Sequence, residues 1–354
     1  MEIRIEKTKS KKQKPDVDKL GFGKYFTDHM FIMDYSDEEG WHDARIVPFG
    51  YVPVHPASTV LHYGAEIFEG MKAYKTKDGY GLFRPMENLK RMNDSAERLC
   101  LPALDGEFFI KALTTLITLD YEWIPEKEGT SLYIRPFMFG NDESLGVHAV
   151  HNATFMIILS PVGNYYAEGL NPVKITIEHN DVRAVRGGTG YAKCGGNYAA
   201  SMRAGKRASE KGISQVLWLD GVERKYIEEV GSMNVMFKID GTVVTPKLTG
   251  SVLPGITRKS CIEILKEWGY KVEERLLSVD ELVASAENGK LEEAWGTGTA
   301  AVVSPIGHLI YEGKDHVVSN DKIGQLTQRL YDELTGIQWG RIEDKRGWVL
   351  RVKV

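Results

Sequence analysis

Residues 187–198 read Gly-Gly-Thr-Gly-Tyr-Ala-Lys-Cys-Gly-Gly-Asn-Tyr, with five glycines crowded around one lysine, Lys193. Glycine tolerates positive φ and lets other groups approach closely. The stretch is therefore turn-rich, and it restricts which architectures the chain can adopt. A Walker-type phosphate loop needs Gly-Lys-Ser or Gly-Lys-Thr behind a glycine and four spacers. Here Ala192 precedes Lys193 and Cys194 follows it, so that pattern fails on both sides. A dinucleotide fingerprint needs an apolar strand running straight into its glycines. The preceding residues are Asp181-Val-Arg-Ala-Val-Arg186, too charged for a buried parallel strand. A lysine among such turns, with apolar neighbours, can shed its hydration and become nucleophilic, which suits Schiff-base chemistry with a carbonyl compound. On these residues alone, a phosphate-contacting or purely structural loop is the commoner reading.

A chain of 354 residues suggests two domains of ordinary size. With 42% hydrophobic and 27% charged residues, it has the composition of a soluble globular protein. The net charge of -4 gives no argument for a nucleic-acid partner. Cys100, Cys194 and Cys261 are far apart. They offer neither metal-ligand spacing nor a disulfide framework, so no metal is expected and a reducing cytoplasm fits best. The nine histidines form no His-x-x-x-His pair. The longest apolar run, near 155–162, is too short to span a bilayer, so no membrane partner is expected. Lys7, Lys9, Lys11, Lys12 and Lys14 are followed by no apolar run, so the N-terminus is not a secretory signal. Residues 1–16 read as a solvated, flexible tail.

Along the chain, strands are expected toward the end of 21–35, over 41–54 with breaks at Pro48 and Pro53, and in the latter half of 61–74. Lys77-Asp78-Gly79 supplies a hairpin turn. Leu89, Met92, Ala96 and Leu99 predict a helix over 86–100, and Phe109, Leu113, Leu116 and Ile117 another over 106–121. Strands follow at 132–136 and 153–160, then a Pro/Gly/Asn linker at 162–172. The second half begins with a strand at 173–178, a helix over 198–211 ended by Gly212, and a strand at 215–219. Asp240-Gly241 joins strands 234–239 and 242–245 as a hairpin. Thr257 is a cap for a helix reaching 268, and Ser278 with Glu281 forms a capping box. Residues 295–303 read as a second Gly/Thr loop, and 322–335 as a final amphipathic helix. This divides the chain into an N-terminal domain, 1–161, and a larger one, 173–354, of α/β class.

Seven motifs occur in fixed order: Phe68-Glu-Gly-Met-Lys-Ala73, Phe83-Arg-Pro-x-x-Asn-x-x-Arg91, Tyr133-Ile-Arg135, the loop 187–198, Glu229-Val-Gly-Ser-Met-Asn234, Leu253-Pro-Gly-Ile-Thr257 and Gly298-Thr-Ala300. Together they resemble the branched-chain amino-acid aminotransferases, of pyridoxal-phosphate fold-type IV, over nearly the whole chain. The resemblance implies a two-domain α/β fold with a small α+β N-terminal domain and a larger α/β pseudo-barrel domain. It implies a homodimer, with loop 140–146 near the neighbour's pocket, and amino and keto acids as substrates. Leucine, isoleucine or valine would pass its amino group to 2-oxoglutarate by a ping-pong route.

The resemblance also assigns roles. Lys193 would form the Schiff base with pyridoxal 5′-phosphate and shuttle the proton between substrate Cα and cofactor C4′. Glu229 would pair with the ring nitrogen, and Tyr198 with the ring hydroxyl. Arg91, the backbone amides of Ile256 and Thr257, and Thr299 would hold the phosphate. Ser232, Asn234, Leu253 and Gly255 complete the cofactor set; threonine is common where Ser232 stands. Phe22, Tyr63, Phe68, Tyr133 and Tyr165 would line the side-chain pocket, with Arg135 and the tyrosines binding the distal carboxylate of glutamate. Thr299 and Ala300 would meet the α-carboxylate. Some animal members carry Cys-x-x-Cys after Gly-Thr-Ala; Ala301 and Ser304 stand here, so no thiol switch is expected.

Taken singly, these residues read more blandly. Glu229 beside Glu228 would be a surface carboxylate, Arg91 a solvated helix residue, the aromatics core, and Cys194 packing. A D-amino-acid aminotransferase, a chorismate-derived lyase or a non-catalytic anion-binding protein are the alternatives.

Overall fold

The computed structural model describes residues 1–163 and 170–354. Contacts divide the chain into two compact units: 1–167 with 192–195 and 336–354, and 168–191 with 196–335. Two stretches expected in the second domain, 192–195 and 336–354, thus belong by contact to the first unit. Part of the expected linker, 164–169, lies outside the described residues.

The first unit holds β1 (Arg4–Ile5), β2 (His29–Ser36), β3 (Gly40–Pro48), β4 (Glu66–Phe68), β5 (Met71–Thr76), β6 (Gly79–Phe83), β7 (Ser131–Gly140) and β8 (Asn152–Val162). They form one sheet in the order β1-β3-β2-β8-β7-β5-β6, closed by the C-terminal strand Val349–Lys353, with β4 paired to β7. Helix α1 (Thr59–Tyr63) is short; α2 (Pro85–Arg98) and α3 (Gly106–Leu119) supply the apolar stripes that cover one sheet face. Leu89, Met92, Ala96, Phe109, Leu113 and Leu116 are buried with Ala73, Leu82, Leu132, Ile134, Phe155 and Ile157. Asp105 caps α3 by accepting the Phe108 N–H at 2.8 Å. Side chains alternate across a strand, so β7 sends Leu132 and Ile134 into this core and Tyr133 and Arg135 to the other face.

The N-terminal tail is not free. β1 pairs in parallel with β3. The Thr8 N–H donates to His29 Nε2 at 2.9 Å, and the Lys12 N–H to Asp28 at 2.8 Å. Lys12 also donates to the Thr27 carbonyl at 2.7 Å and sits 4.2 Å from the Phe49 ring centroid. The lysines of this run are exposed as read, but the segment expected to be flexible is tied down by its backbone bonds and by one ammonium that meets a carbonyl and a ring.

The second unit holds β9 (Val173–Ile177), β10 (Gln215–Leu219), β11 (Ile227–Val230), β12 (Asn234–Ile239), β13 (Thr242–Pro246), β14 (Val272–Arg275), β15 (Leu291–Gly298), β16 (Val302–Tyr311) and β17 (Lys314–Val317). Their order is β11-β10-β9-β16-β15-β12-β13-β14, with β17 on β16. Val230 and Met233 exchange backbone hydrogen bonds of 2.9 Å, which ties edge strand β11 to the start of β12 and curls the sheet on itself. That is the pseudo-barrel expected.

Four expectations shift. The helix over 198–211 is two pieces, α4 (Gly195–Ala199) and α5 (Met202–Ser209). Ser201 Oγ donates to the Tyr198 carbonyl at 2.6 Å, a local bond that competes with helix continuation. Helix α6 (Ile256–Glu267) is capped at Gly255, so Thr257 lies inside the first turn and is not the cap. Residues 295–303 are mostly strand, with only a short turn between β15 and β16. After α7 (Val279–Glu287), α8 (Gln325–Gln338) begins later than expected, where Glu293 accepts the Leu326 and Thr327 amides at 3.0 and 2.8 Å. Ser278 does cap α7, accepting the Glu281 N–H at 3.1 Å.

Candidate active site

Lys193 is anchored by its backbone. Its carbonyl accepts the Phe68 N–H at 2.9 Å, and its own N–H donates to Ser95 Oγ on α2 at 2.9 Å. The next residue, Cys194, bridges Ile67 and is buried in the core, as its packing reading required. The Gly195 N–H donates to Glu66 Oε2 at 2.8 Å, and a Cβ there would fall 2.5 Å from the same oxygen. A side chain at position 195 would push that carboxylate off the Gly195 amide. The side chain of Lys193 is left to reach forward, its Nζ 4.8 Å from the Phe68 ring centroid.

Around it stand Phe68, Phe22, Tyr133 and Arg135. The Arg135 guanidinium lies 4.6 Å from the Phe68 ring centroid and 5.3 Å from that of Tyr133, and its Nη2 donates to Tyr133 Oη at 3.1 Å. Phe22 meets Tyr133 edge-on at 4.8 Å. A Cβ at Gly70 would sit 2.1 Å from Tyr133 Oη, so glycine is needed for the tyrosine to lie here. The structure thus gathers four expected substrate residues beside the lysine. Tyr63 is not among them: it is exposed on α1, and its hydroxyl donates to the Leu145 carbonyl. Tyr165 lies outside the described residues.

Arg91 is buried, not solvated. Its Nε and Nη2 bind Glu69 Oε1 and Oε2 at 2.7 and 2.9 Å, and Asn88 adds a third bond to Glu69 at 2.8 Å. Burial pushes the Glu69 carboxyl up, but the Arg91 charge and hydrogen bond, with Lys193 and Asn88, outweigh it and hold it below the usual range. Sequence reasoning missed Glu69; the available signal was an acid standing directly between Phe68 and Gly70. Burial raises the Glu66 carboxyl, against the pull of the Gly195 amide, Arg135 and Lys193.

In the second unit, Glu229 is buried on β11. Its Oε1 accepts the Leu253 N–H at 2.7 Å, and Oε2 lies 3.2 Å from Arg183 Nε. Asn234 Nδ2 donates to the Leu253 carbonyl at 2.8 Å, and a Cβ at Gly255 would fall 1.8 Å from Asn234 Oδ1. Asn234 therefore clamps 253–255 against the head of α6. That helix starts at Gly255 without a side-chain cap. The amides of Ile256 and Thr257 open it, the arrangement that receives an anion. Asn234 faces Thr297 in register, so the turn carrying Ser232 and the turn carrying Thr299 and Ala300 lie at the same end of the sheet. Ser232 is exposed; Thr299, Ala300 and Tyr198 are half-buried.

The family model for Amino-transferase class IV matches residues 66–309. The chain belongs to the class IV aminotransferase family. It is 53% identical over 351 residues to branched-chain-amino-acid aminotransferase 2 of Bacillus subtilis (strain 168), covering 99% of this chain and 97% of that one. A probable branched-chain-amino-acid aminotransferase of Staphylococcus aureus (strain N315) is 54% identical over 347 residues, 98% and 97% of the two chains. Among solved structures, the branched-chain amino acid aminotransferase from Escherichia coli superposes with TM-score 0.73 at 28% identity, over 91% of this chain and 99% of that one. A T.th. branched-chain amino acid aminotransferase complexed with N-(5′-phosphopyridoxyl)-L-glutamate gives 0.74 at 27% identity, over 90% and 97%. For this class IV aminotransferase, every matched motif falls on a defined strand, turn or helix start.

Proposed function

We propose that this class IV aminotransferase is a branched-chain amino-acid aminotransferase. It moves the amino group of L-leucine, L-isoleucine or L-valine to 2-oxoglutarate, with pyridoxal 5′-phosphate as its cofactor. One observation carries the reading: a lysine with a clamped backbone beside an aromatic wall that holds an arginine, in a chain over half identical to enzymes of that name.

The residues fit the cofactor. The uncapped start of α6 suits a phosphate, and buried Glu229 suits a protonated ring nitrogen. When bound, the cofactor supplies an electron sink that stabilises negative charge at the substrate Cα. Lys193 Nζ would be the group that moves the proton between that Cα and cofactor C4′. Glu229 would keep the ring nitrogen protonated, and Tyr198 would hydrogen-bond the ring hydroxyl. The Ile256 and Thr257 amides, with Arg91 and Thr299, hold the phosphate. Asn234, Leu253 and Gly255 fix that phosphate-binding turn, and Ser232 flanks it. Phe22, Phe68 and Tyr133 exclude water and accept an aliphatic side chain. Arg135 and the Tyr133 hydroxyl take the distal carboxylate of glutamate. Thr299 and Ala300 meet the α-carboxylate. One methylene in such a pocket is worth only ~1–3 kcal/mol, so all three branched substrates react.

A second copy of the chain is part of the reading. Leu61, Tyr63, Leu145 and Val147 expose apolar surface, and the Ser58–Glu143 bridge ties their two loops together. Such a patch is the kind a homodimer covers, with loop 140–146 reaching toward the neighbour's pocket. Free thiols at Cys100, Cys194 and Cys261 suit the reducing cytoplasm. No helix among the described residues is long and apolar enough to cross a membrane.

The test is a substrate panel with 2-oxoglutarate as acceptor. L-leucine, L-isoleucine and L-valine should turn over at comparable kcat/KM. Preference for D-alanine or aminodeoxychorismate, or a protein that gains no yellow colour with pyridoxal phosphate, would overturn the reading.

A further inference from the structure

Glu228 and Glu229 are adjacent on β11, and both are buried. Two buried carboxylates need compensation, because each charge has lost its water. One guanidinium faces both. Arg183 is buried, with Nε 3.2 Å from Glu229 Oε2, and its charge also acts on Glu228. Backbone carbonyls fix its far end: Nη2 donates to the carbonyl of Ser251 and lies 3.5 Å from that of Gly190. A Cβ at Gly190 would fall 2.2 Å from the Ser251 oxygen, so the glycine loop is pressed onto this segment.

The same segment holds both acids. Ser251 Oγ donates to Glu228 Oε1, the Leu253 N–H donates to Glu229 Oε1 at 2.7 Å, and Thr249 Oγ1 lies 2.9 Å from Ser251 Oγ. Glu228 Oε2 has no hydrogen-bond partner among the described residues. One cation facing two acids favours one negative charge and one retained proton. Burial, with Glu229 and Asp220 nearby, raises the Glu228 carboxyl against the pull of Ser251 and Arg183. Of the two acids, Glu228 is the one pushed toward its protonated form, while Glu229 has the closer approach to the guanidinium.

We infer that Arg183 is a positioning residue: through Glu229 it governs the protonation of the cofactor's ring nitrogen, with Glu228 as the neutral member of the pair. The inference rests on the functional reading above. It gives a purpose to the charge in residues 181–186, which had argued only against a strand.

The experiment uses the holoenzyme loaded with ring-15N pyridoxal phosphate, read by the 15N chemical shift and by the dissociation constant of the cofactor. Glu229→Gln is the reference and should lose the protonated-nitrogen signal. Arg183→Met should move the shift in the same direction and weaken cofactor binding about 10- to 100-fold, the scale of losing a supporting partner. Arg183→Lys should restore part of both, since it returns the charge without the guanidinium geometry. Glu228→Gln should leave the nitrogen protonated, because an amide replaces an already neutral acid. A protonated nitrogen in Arg183→Met, or loss of the signal in Glu228→Gln, overturns the inference while leaving the function intact. If Arg183→Met does not fold, Arg183→Lys and Glu228→Gln still decide. Wild-type protein that never binds the labelled cofactor defeats the functional reading instead.

Discussion

Glu69 and Glu229 are both buried carboxylates facing an arginine, one in each unit, yet they are built for different ends. Glu69 spends both oxygens on Arg91, with bonds of 2.7 and 2.9 Å, and takes a third from Asn88. All three residues lie within two short motifs, so the pair locks α2 to the segment after β4. Glu229 receives an amide at 2.7 Å and faces an arginine nitrogen at 3.2 Å, from two separate loops. A forked, closed pair fixes the place of its arginine and ties two segments together. A carboxylate reached from two separate loops, with a second acid beside it, holds a charge in place for something else. Burial alone does not separate a structural ion pair from a working one; the geometry and origin of the bonds do.

Breaking each pair should separate the two roles. Lys193→Ala should have the largest effect, abolishing transamination and the cofactor's Schiff-base absorbance while leaving thermal stability nearly unchanged. Glu229→Gln should come next in activity, lowering kcat about 100- to 1000-fold, the scale of one preorganised electrostatic partner. Its melting temperature should move less than that of Glu69→Ala, because Glu228 stands beside Arg183 and can give up its proton to answer the charge. Glu69→Ala should do the reverse in kind: it strands Arg91 in the interior and should cost ~3–5 kcal/mol of stability by denaturant titration. If Glu69→Ala unfolds no more easily than Glu229→Gln, the contrast fails.

Stability against pH sharpens the same comparison. The Glu69 carboxyl is held low in the folded state, so its contribution is present above the ordinary carboxylate range and lost as pH falls through its lowered value. The Glu228 carboxyl is held high, so its contribution is present below the ordinary range and lost as pH rises through its raised value. Melting curves should therefore show Glu69→Gln flattening the acid limb and Glu228→Gln easing the loss of stability on the side above the ordinary carboxylate range.

The smallest effects belong to the pocket wall. Arg135→Ala should raise KM for 2-oxoglutarate about 10- to 100-fold, the value of a charge-assisted bond, with less effect on leucine. Tyr133→Phe removes one neutral hydroxyl, worth ~1 kcal/mol, and should cost about fivefold on the same substrate.

Much of this was legible in the chain itself. The helices over 86–100 and 106–121 were found because their apolar stripes are long and regular, and α2 and α3 lie within two residues of those limits. The Asp240-Gly241 hairpin was found because its turn residues are nearly diagnostic. Boundaries set by side-chain bonds were not readable. The break between α4 and α5 depends on a serine bonding its own backbone, and the start of α8 on Glu293, more than thirty residues away. The N-terminal lysines are exposed, as charge predicts, but the segment is not free, because its backbone pairs with β3 and bonds His29 and Asp28, contacts that charge does not announce. Motif order named Lys193, Arg135 and Glu229 as candidates, and all three sit on held backbone or in buried surroundings. Glu69, Arg183 and Glu228 went unassigned, because what they do depends on which atoms they meet. Tyr63, read singly as core or by family as pocket wall, is exposed instead.

The most direct test is to reduce the cofactor-loaded enzyme with borohydride and locate the pyridoxyl group by peptide mass spectrometry. Lys72 is the one buried lysine among the described residues, and burial lowers it to about 8, so it is the natural competitor. The account predicts a single modified peptide, carrying the group on Lys193. Modification at Lys72, or at any other lysine with Lys193 left bare, would contradict it.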